Sequence, residues 1–426
     1  MTGPSDAEVA TQRDAALREG YWSVMRLILG GGRRFGLFLA GAAVANLGRW
    51  FLTLAAAVLV YDLSGSTLMV GLVSASQFVP TVLLAPWAGA IADRFDRRRT
   101  VAFAQAGVAG ITATLAVVVI ADVVSVPLVL ALMGLSGVGQ AFQAPASLAL
   151  APLLVNASER DIALSLNSMQ FNLARAVGPA LGAVVMAEAG IGIGLAVNAA
   201  MFLAVVWALV LVRPRQQVIP TGQARLRDAF SAARKSRSAV PLLIAGAVIS
   251  GASDVANTLT PAVSDRFTGS SDATGYLVSG FGVGATLSAL LVYPAIRRLR
   301  RQMVGAMATQ ALGVVVFALA PTLWVAIAGL MISGGGFIAA STRAATLLQD
   351  SVPPEMSGRI MSLWTLAFLG PRPLFSLLNG AVADVANERL AALATCLILG
   401  LTAVGLHLNT TIRRRRQGQK DTHASR

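Results

Sequence analysis

The chain has 426 residues, of which 55% are hydrophobic and only 13% charged, more apolar surface than a soluble domain of this length needs for its core. That excludes a water-soluble fold, and the single cysteine, Cys396, excludes a disulfide scaffold or a cysteine-rich metal centre. A formal net charge of +14 raises the question of a nucleic-acid partner, which the placement of the basic residues answers.

Residues 1–35 form a polar N-terminal segment, apart from Tyr21–Leu29, a stretch suited to a helix lying flat at the membrane interface. No cleavable leader pattern is evident in it. Apolar runs then recur, most of them about 20 residues or longer, enough to cross roughly 30 Å of hydrocarbon. They predict twelve transmembrane helices, at 36–61, 68–92, 101–121, 126–154, 162–188, 192–212, 241–264, 274–296, 303–320, 323–347, 358–384 and 389–411. Runs such as 101–120 are continuously apolar, unlike the alternating strands of a barrel, so backbone hydrogen bonds must close within helices. The predicted class is an all-α membrane protein.

Basic residues cluster by side. Five precede residue 36, four lie in 94–99, one is Arg160, seven lie in 213–237, four in 297–301, one is Arg359, and six follow residue 412. Arg266 and Arg389 are left for the opposite side. Orientation by positive charge accounts for this pattern, predicts both termini cytoplasmic, and leaves no reason to invoke nucleic acid.

The basic segment 213–240 separates six spans from six and reads as a cytoplasmic linker between a bundle at 36–212 and a bundle at 241–411, with a basic tail at 412–426. The two halves echo one another. A shift of 205 residues sets Leu72-Val73-Ser74 on Leu277-Val278-Ser279 and Arg49 on Asp254. A shift of 197 sets Ser165, Leu166, Phe171, Arg175 and Leu181 on Ser362, Leu363, Phe368, Arg372 and Leu378. Parallel six-helix repeats of this kind place a binding site near the midplane between the halves.

Polar residues fall at helical spacing inside the spans: Asn46, Arg49 and Thr53; Ser136, Gln140, Gln143 and Ser147; Ser165, Ser168, Asn172 and Arg175; Ser250, Asp254 and Asn257. Gln77 and Arg372 are further polar positions within their spans. An ionisable group within the bilayer costs roughly 2.5 kcal/mol or more and marks a pathway or relay. We therefore expect these side chains to line a substrate and proton pathway, and Arg49 and Asp254, at equal depth, to be able to pair. Asp62, Asp265 and Asp384 sit at helix ends, where solvation is expected. Three arginines against one aspartate predict a preference for anionic or acceptor-rich ligands. No loop assembles a nucleophile with a base, a metal cluster or a phosphate cradle, so the chain does not read as an enzyme and no cofactor or metal is expected.

The loop after the second span reads Gly89-Ala-Ile-Ala-Asp93-Arg94-Phe-Asp96-Arg97-Arg98-Arg99 and resembles the cytoplasmic gate signature of the major facilitator superfamily, with Asp96 at its usual second glycine. Gly89 would permit close helix approach, and Asp93, Arg94, Arg97 and Arg98 would lock the gate. Asn167 to Gly182, with its Gly178-Pro179-x-x-Gly182 motif, and Pro353 to Leu363 resemble the enterobactin-exporter-like subfamily, the transmembrane secretion effectors. The resemblance implies a monomeric, multi-pass transporter of the bacterial inner membrane, using the proton gradient to export amphipathic small molecules such as drugs, siderophores or secondary metabolites. An importer of the same fold and a lipid or lysolipid flippase are the alternatives.

Overall fold

The computed structural model describes residues 33–212, 239–292, 302–353 and 356–424. The stretch Tyr21–Leu29, residues 213–238 of the expected linker and the basic run 297–301 lie outside them, as do the side chains of Asp93, Ser168 and Asn172. Every described element is helical. Among the described residues, eight helical stretches are long and apolar enough to cross a bilayer.

In the first half these are α1 (Arg33–Ser64), α2 (Thr67–Arg94), α3 (Arg97–Ile120), α4 (Val126–Leu150) and α6 (Ile191–Leu211); α5 (Arg160–Ala189) carries the polar stripe and is less apolar. Gly65 makes the α1–α2 turn at φ +62°, a conformation that costs glycine little. Ser66 then caps α2 by accepting from the Met69 amide.

Two of the expected spans in the second half are interrupted, and a third ends in a π-helical turn. Residues 239–268 divide into α7 (Ala239–Ala252), α8 (Val255–Thr258) and α9 (Thr260–Thr268). Around Ser253-Asp254 the backbone bonds tighten to three-residue steps, Ser253 to Ser250 and Asp254 to Gly251. α10 (Thr274–Leu287) runs into a π-helical turn at Ser288–Val292, and α11 (Gln302–Ala318) and α12 (Leu323–Gln349) follow. The eleventh expected span then divides into α13 (Ser357–Leu369) and α14 (Arg372–Val385). Gly370 and Pro371 separate them, and Pro371 has no amide hydrogen to continue the ladder. α15 (Glu388–Ala424) continues through the basic segment expected as a separate tail.

Each half has its own apolar core. One gathers residues from Phe35 to Val212, the other from Ala239 to Ala403. The apolar cluster that bridges them is small: Leu54, Val58, Ala183 and Val278. Within the halves glycines set the helix spacing. A Cβ at Gly137 of α4 would collide with the Gln77 carbonyl of α2, and one at Gly284 of α10 with the Met331 carbonyl of α12. A backbone oxygen cannot rotate away as a side chain can. We expect Gly284→Ala to destabilise the protein by about 1–3 kcal/mol through overpacking, while Gly107→Ala, with nothing within 4 Å of its Cβ, leaves the melting temperature in detergent unchanged.

Candidate functional site

The two helix interruptions of the second half meet. Asp254, in the break between α7 and α8, is fully buried and accepts from the Arg372 guanidinium at 2.9 Å. Arg372 is the first residue of α14, immediately after the second break. Asn257 donates to the same carboxylate oxygen at 3.0 Å, while Asp254 Oδ2 and Arg372 Nε have no partner among the described residues. The guanidinium stacks 4.2 Å from the ring centroid of Phe78 on α2, in the other half.

The expected approach of Arg49 to Asp254 is not made in this conformation. Arg49 donates instead to the Gln143 amide oxygen of α4 at 2.7 Å, and Arg372 holds Asp254 because both stand at helix breaks inside one half. Arg175 of α5, 8% exposed, lies among three aromatic rings, with centroids at 4.9 Å (Trp50), 4.7 Å (Phe281) and 4.8 Å (Phe337).

The remaining predicted pathway residues are less concentrated. Asn46 donates to Gln170, which donates to Asn167, each at 3.2 Å. Gln140 bonds to Ser136 one turn back. Gln77 is buried against α4, its Nε2 without a partner among the described residues. The Asn172 side chain lies outside the described residues. The aromatic residues Trp50, Phe78, Phe281 and Phe337 were not singled out from the sequence; the one available signal was that Trp50 follows Arg49 and Phe78 follows Gln77.

The helix-five motif packs in two directions. A Cβ at Gly178 would stand 2.9 Å from the Leu47 carbonyl oxygen, and one at Gly182 2.7 Å from the Phe51 ring, both on α1. On the opposite side the Pro179 carbonyl lies 2.9 Å from the position of a Cβ at Gly275 of α10. The motif therefore joins the halves as well as packing its own bundle.

The gate motif is ordered differently from the expectation. Nothing lies within 4 Å of a Cβ at Gly89, so close helix approach there is not made in this conformation. Asp96, at the usual glycine, caps α3 by accepting from the amides of Arg98 and Arg99. Arg98 reaches the last carbonyls of α6, Leu209 at 2.5 Å and Val210 at 3.1 Å, where the helix dipole favours a cation. Arg94 is exposed, and Arg97 has a partner.

Among the described residues, hydrogen bonds between the halves gather toward one end, next to small-residue and aromatic contacts. The acids expected to be solvated bridge the halves there. Asp384 of α14 accepts from Ser66 Oγ at 2.5 Å and from the Thr67 and Leu68 amides at 2.7 and 3.2 Å, capping α2 from across the interface. Ser271 donates to Asp62 at 2.7 Å, and Tyr61 to Asp265 at 3.3 Å. Ser376 donates to the Gly71 carbonyl. Among the described residues no hydrogen bond joins the halves between this level and the Arg94–Arg97 end.

Residues 33–425 match the transmembrane secretion effector family. The macrolide efflux protein A of Streptococcus pyogenes is 24% identical over 371 residues, 82% of this chain and 89% of that protein. The enterobactin exporter EntS of Salmonella typhi is 28% identical over 330 residues, 75% and 78% of the two chains. The staphyloferrin A transporter of Staphylococcus aureus is 27% identical over 151 residues, only 35% of this chain and 38% of that protein. A bacterial homologue of the lysosomal transporter Spinster, in an inward-facing and unoccupied conformation, shares the fold with a TM-score of 0.72 at 15% identity, over 88% of this chain and 95% of that one. The family match over most of the chain, with efflux and export proteins as relatives, makes this a secondary transporter of the major facilitator class and not an enzyme. Within that class the chain belongs to the transmembrane secretion effector family.

Two measurements probe this geometry. Removing one member of the buried pair leaves an uncompensated charge, so Asp254→Asn or Arg372→Gln costs about 3–5 kcal/mol, and the double variant regains part of it; detergent melts of the four proteins give the coupling. At the closed end, Asp384→Asn weakens the cross-interface cap. Spin labels at Leu63→Cys and Val385→Cys, with Cys396→Ser, should then show a longer-distance population by electron–electron resonance.

Proposed function

We propose that this transporter is a proton-driven exporter of amphipathic small molecules, working as a monomer with twelve crossings and both termini in the bacterial cytoplasm. The clustering of basic residues in the loops supports putting the Arg94–Arg97 end inside. On that orientation the hydrogen bonds between the halves, among the described residues, lie toward the outer end, which supports an inward-facing arrangement of alternating access.

The observation that carries the reading is the chemistry of Asp254. It is the one acidic side chain among the described residues that is buried, and one of its oxygens is unpartnered. A proton arriving at Oδ2 neutralises the carboxylate and weakens its hold on Arg372, whose stacking on Phe78 carries the change into the other half. Proton occupancy thereby biases one conformation over the other, the requirement for coupling. The efflux and export named for the relatives above support the outward direction.

The test is proton flux in everted membrane vesicles acidified by respiration and followed with a pH-quenched acridine dye. At least one compound from a panel of macrolides, catecholate siderophores and aromatic carboxylates is expected to dequench the dye. Asp254→Asn should abolish that response yet keep substrate exchange in the absence of a gradient. A null response to every class, or an undiminished response in Asp254→Asn, would refute proton-driven export.

A further inference from the structure

Arg175 and Arg372 are repeat counterparts, each with a phenylalanine four residues earlier, Phe171 and Phe368. Their charges are met differently. Arg372 has Asp254, whose Oδ1 also accepts from Asn257. Among the described residues no carboxylate and no hydrogen-bond acceptor meets Arg175, although the residue is nine-tenths buried. Arg49, which the repeat sets at the position of Asp254, turns to Gln143 and takes no part here.

What surrounds Arg175 instead is aromatic, and it comes from both halves. The guanidinium carbon lies 4.9 Å from the Trp50 ring centroid in the first half, and 4.7 and 4.8 Å from those of Phe281 and Phe337 in the second. Trp50 continues to Phe171 at 6.1 Å. Phe281, Phe337, Phe368 and Trp364 follow one another at 5.5, 5.9 and 5.5 Å. Ala183 of α5 meets Gly275, four residues on from Ser271 and its contact with Asp62, so Phe171 lies on the other side of Arg175 from that end. Phe368 and Trp364 likewise precede the break that leads along α14 to Asp384. Both series of rings therefore run from Arg175 away from the Asp62–Asp384 end, into the part of the interface where, among the described residues, no hydrogen bond joins the halves. Phe171 and Phe368 are only half-buried there.

Aromatic rings engage the π-face of a guanidinium and leave its in-plane N–H donors available, the edge that binds a carboxylate through two parallel hydrogen bonds. The indole N–H of Trp50 is also without an acceptor among the described residues. A cation in this low-dielectric setting, with no described acid of its own, attracts an anion. We propose that Arg175 binds the carboxylate of the transported molecule, while the rings of the two halves hold a planar aromatic body between them. The substrate class is an aromatic carboxylate. This rests on the transport reading above and specifies its ligand.

The test uses full-length protein in an uncharged detergent, titrated calorimetrically with 1-naphthoate, 1-naphthamide, the saturated decalin carboxylate and a naphthyl quaternary ammonium salt. Naphthoate is expected to bind at least about tenfold more tightly than the amide or the ammonium salt, a difference of roughly 1.4 kcal/mol, and about threefold more tightly than the saturated acid. Arg175→Lys keeps the charge but loses the planar fork and should weaken naphthoate by about tenfold. Arg175→Leu should bind naphthoate and naphthamide alike. Should Arg175→Leu fail to fold, Arg175→Gln carries the same test, with the preference for acid over amide expected to vanish. Phe368→Leu should weaken both naphthyl compounds by about threefold and leave that preference intact.

Equal affinity of the native protein for acid and amide, or naphthoate binding undiminished in the Arg175 variants, would overturn the proposal. So would tighter binding of the saturated acid than of naphthoate, which would remove the aromatic body. Displacement of naphthoate by phosphatidylglycerol but not by benzoate would overturn it as well, by making the anion a bilayer lipid. Naphthoate binding without substrate-dependent proton flux keeps this site and removes the export reading. Flux with quaternary ammonium ions, with naphthoate neither binding nor competing, does the reverse.

Discussion

A carboxylate and a guanidinium withdrawn from water into a membrane protein are tolerable only together. Asp254 and Arg372 form such a pair, and the surrounding structure is arranged around it. Both residues stand at helix interruptions, where a continuous helix would hold its side chains to a fixed register. The breaks at Ser253-Asp254 and Gly370-Pro371 let the two groups meet, and Asn257 supplies a further donor to the carboxylate. Because Arg372 also lies on the Phe78 ring, the pair is attached to the opposite half without a covalent or charged link across the interface. A contact of that kind can be released without stranding a second charge.

The rest of the interface shows the same economy. Each half owns a full apolar core, so neither needs the other to fold its helices. Among the described residues, what joins them is a four-residue apolar cluster, small-residue contacts along α5 with α10 and α2 with α14, and hydrogen bonds at the Asp62–Asp384 end. In lipid there is little hydrophobic gain from burying apolar surface between helices, so packing and hydrogen bonding carry the association. Exposed acceptors such as Asp384 and Asp62 exchange protein donors for water when the end opens, which keeps the two conformations close in free energy. The balance suits a molecule that must occupy both.

Much of this was legible in the sequence. Long apolar runs pointed to an all-helical chain, and a basic middle segment and matched residues such as Arg175 and Arg372 suggested two halves, because lipid imposes length and charge asymmetry directly on composition. In this conformation Asp254 is held by Arg372 rather than by Arg49, to which equal depth under the repeat pointed, because depth carries no information about which helices break. Pro371 was visible, but its consequence depended on Gly370 and on the neighbouring interruption at Asp254. The aromatic setting of Arg175 was hidden because apolar residues are so common in this chain that Phe281 and Phe337 carry no contrast. Asp384 read as a solvated helix-end acid; that it caps α2 is a property of the docked halves, absent from either repeat alone.

The charge arrangement also bears on the energetics of the proposed exchange. Asp254 and Arg372 together are neutral, whereas Arg49 and Arg175 leave the first half with excess positive charge at mid-depth. A monoanionic ligand reduces that excess, so the loaded site is closer to neutral than the empty one and crosses the low-dielectric region at lower cost. Moving one anion outward and one proton inward transfers two positive charges toward the cytoplasm in net terms. Each is worth about 2.3 kcal/mol per 100 mV of inside-negative potential. Under the same one-to-one exchange, a monocation leaving as the proton enters would transfer no net charge and gain nothing from the potential. Under the proposed exchange, an anion leaving as a proton enters lets the membrane potential act on both ions in the direction of export.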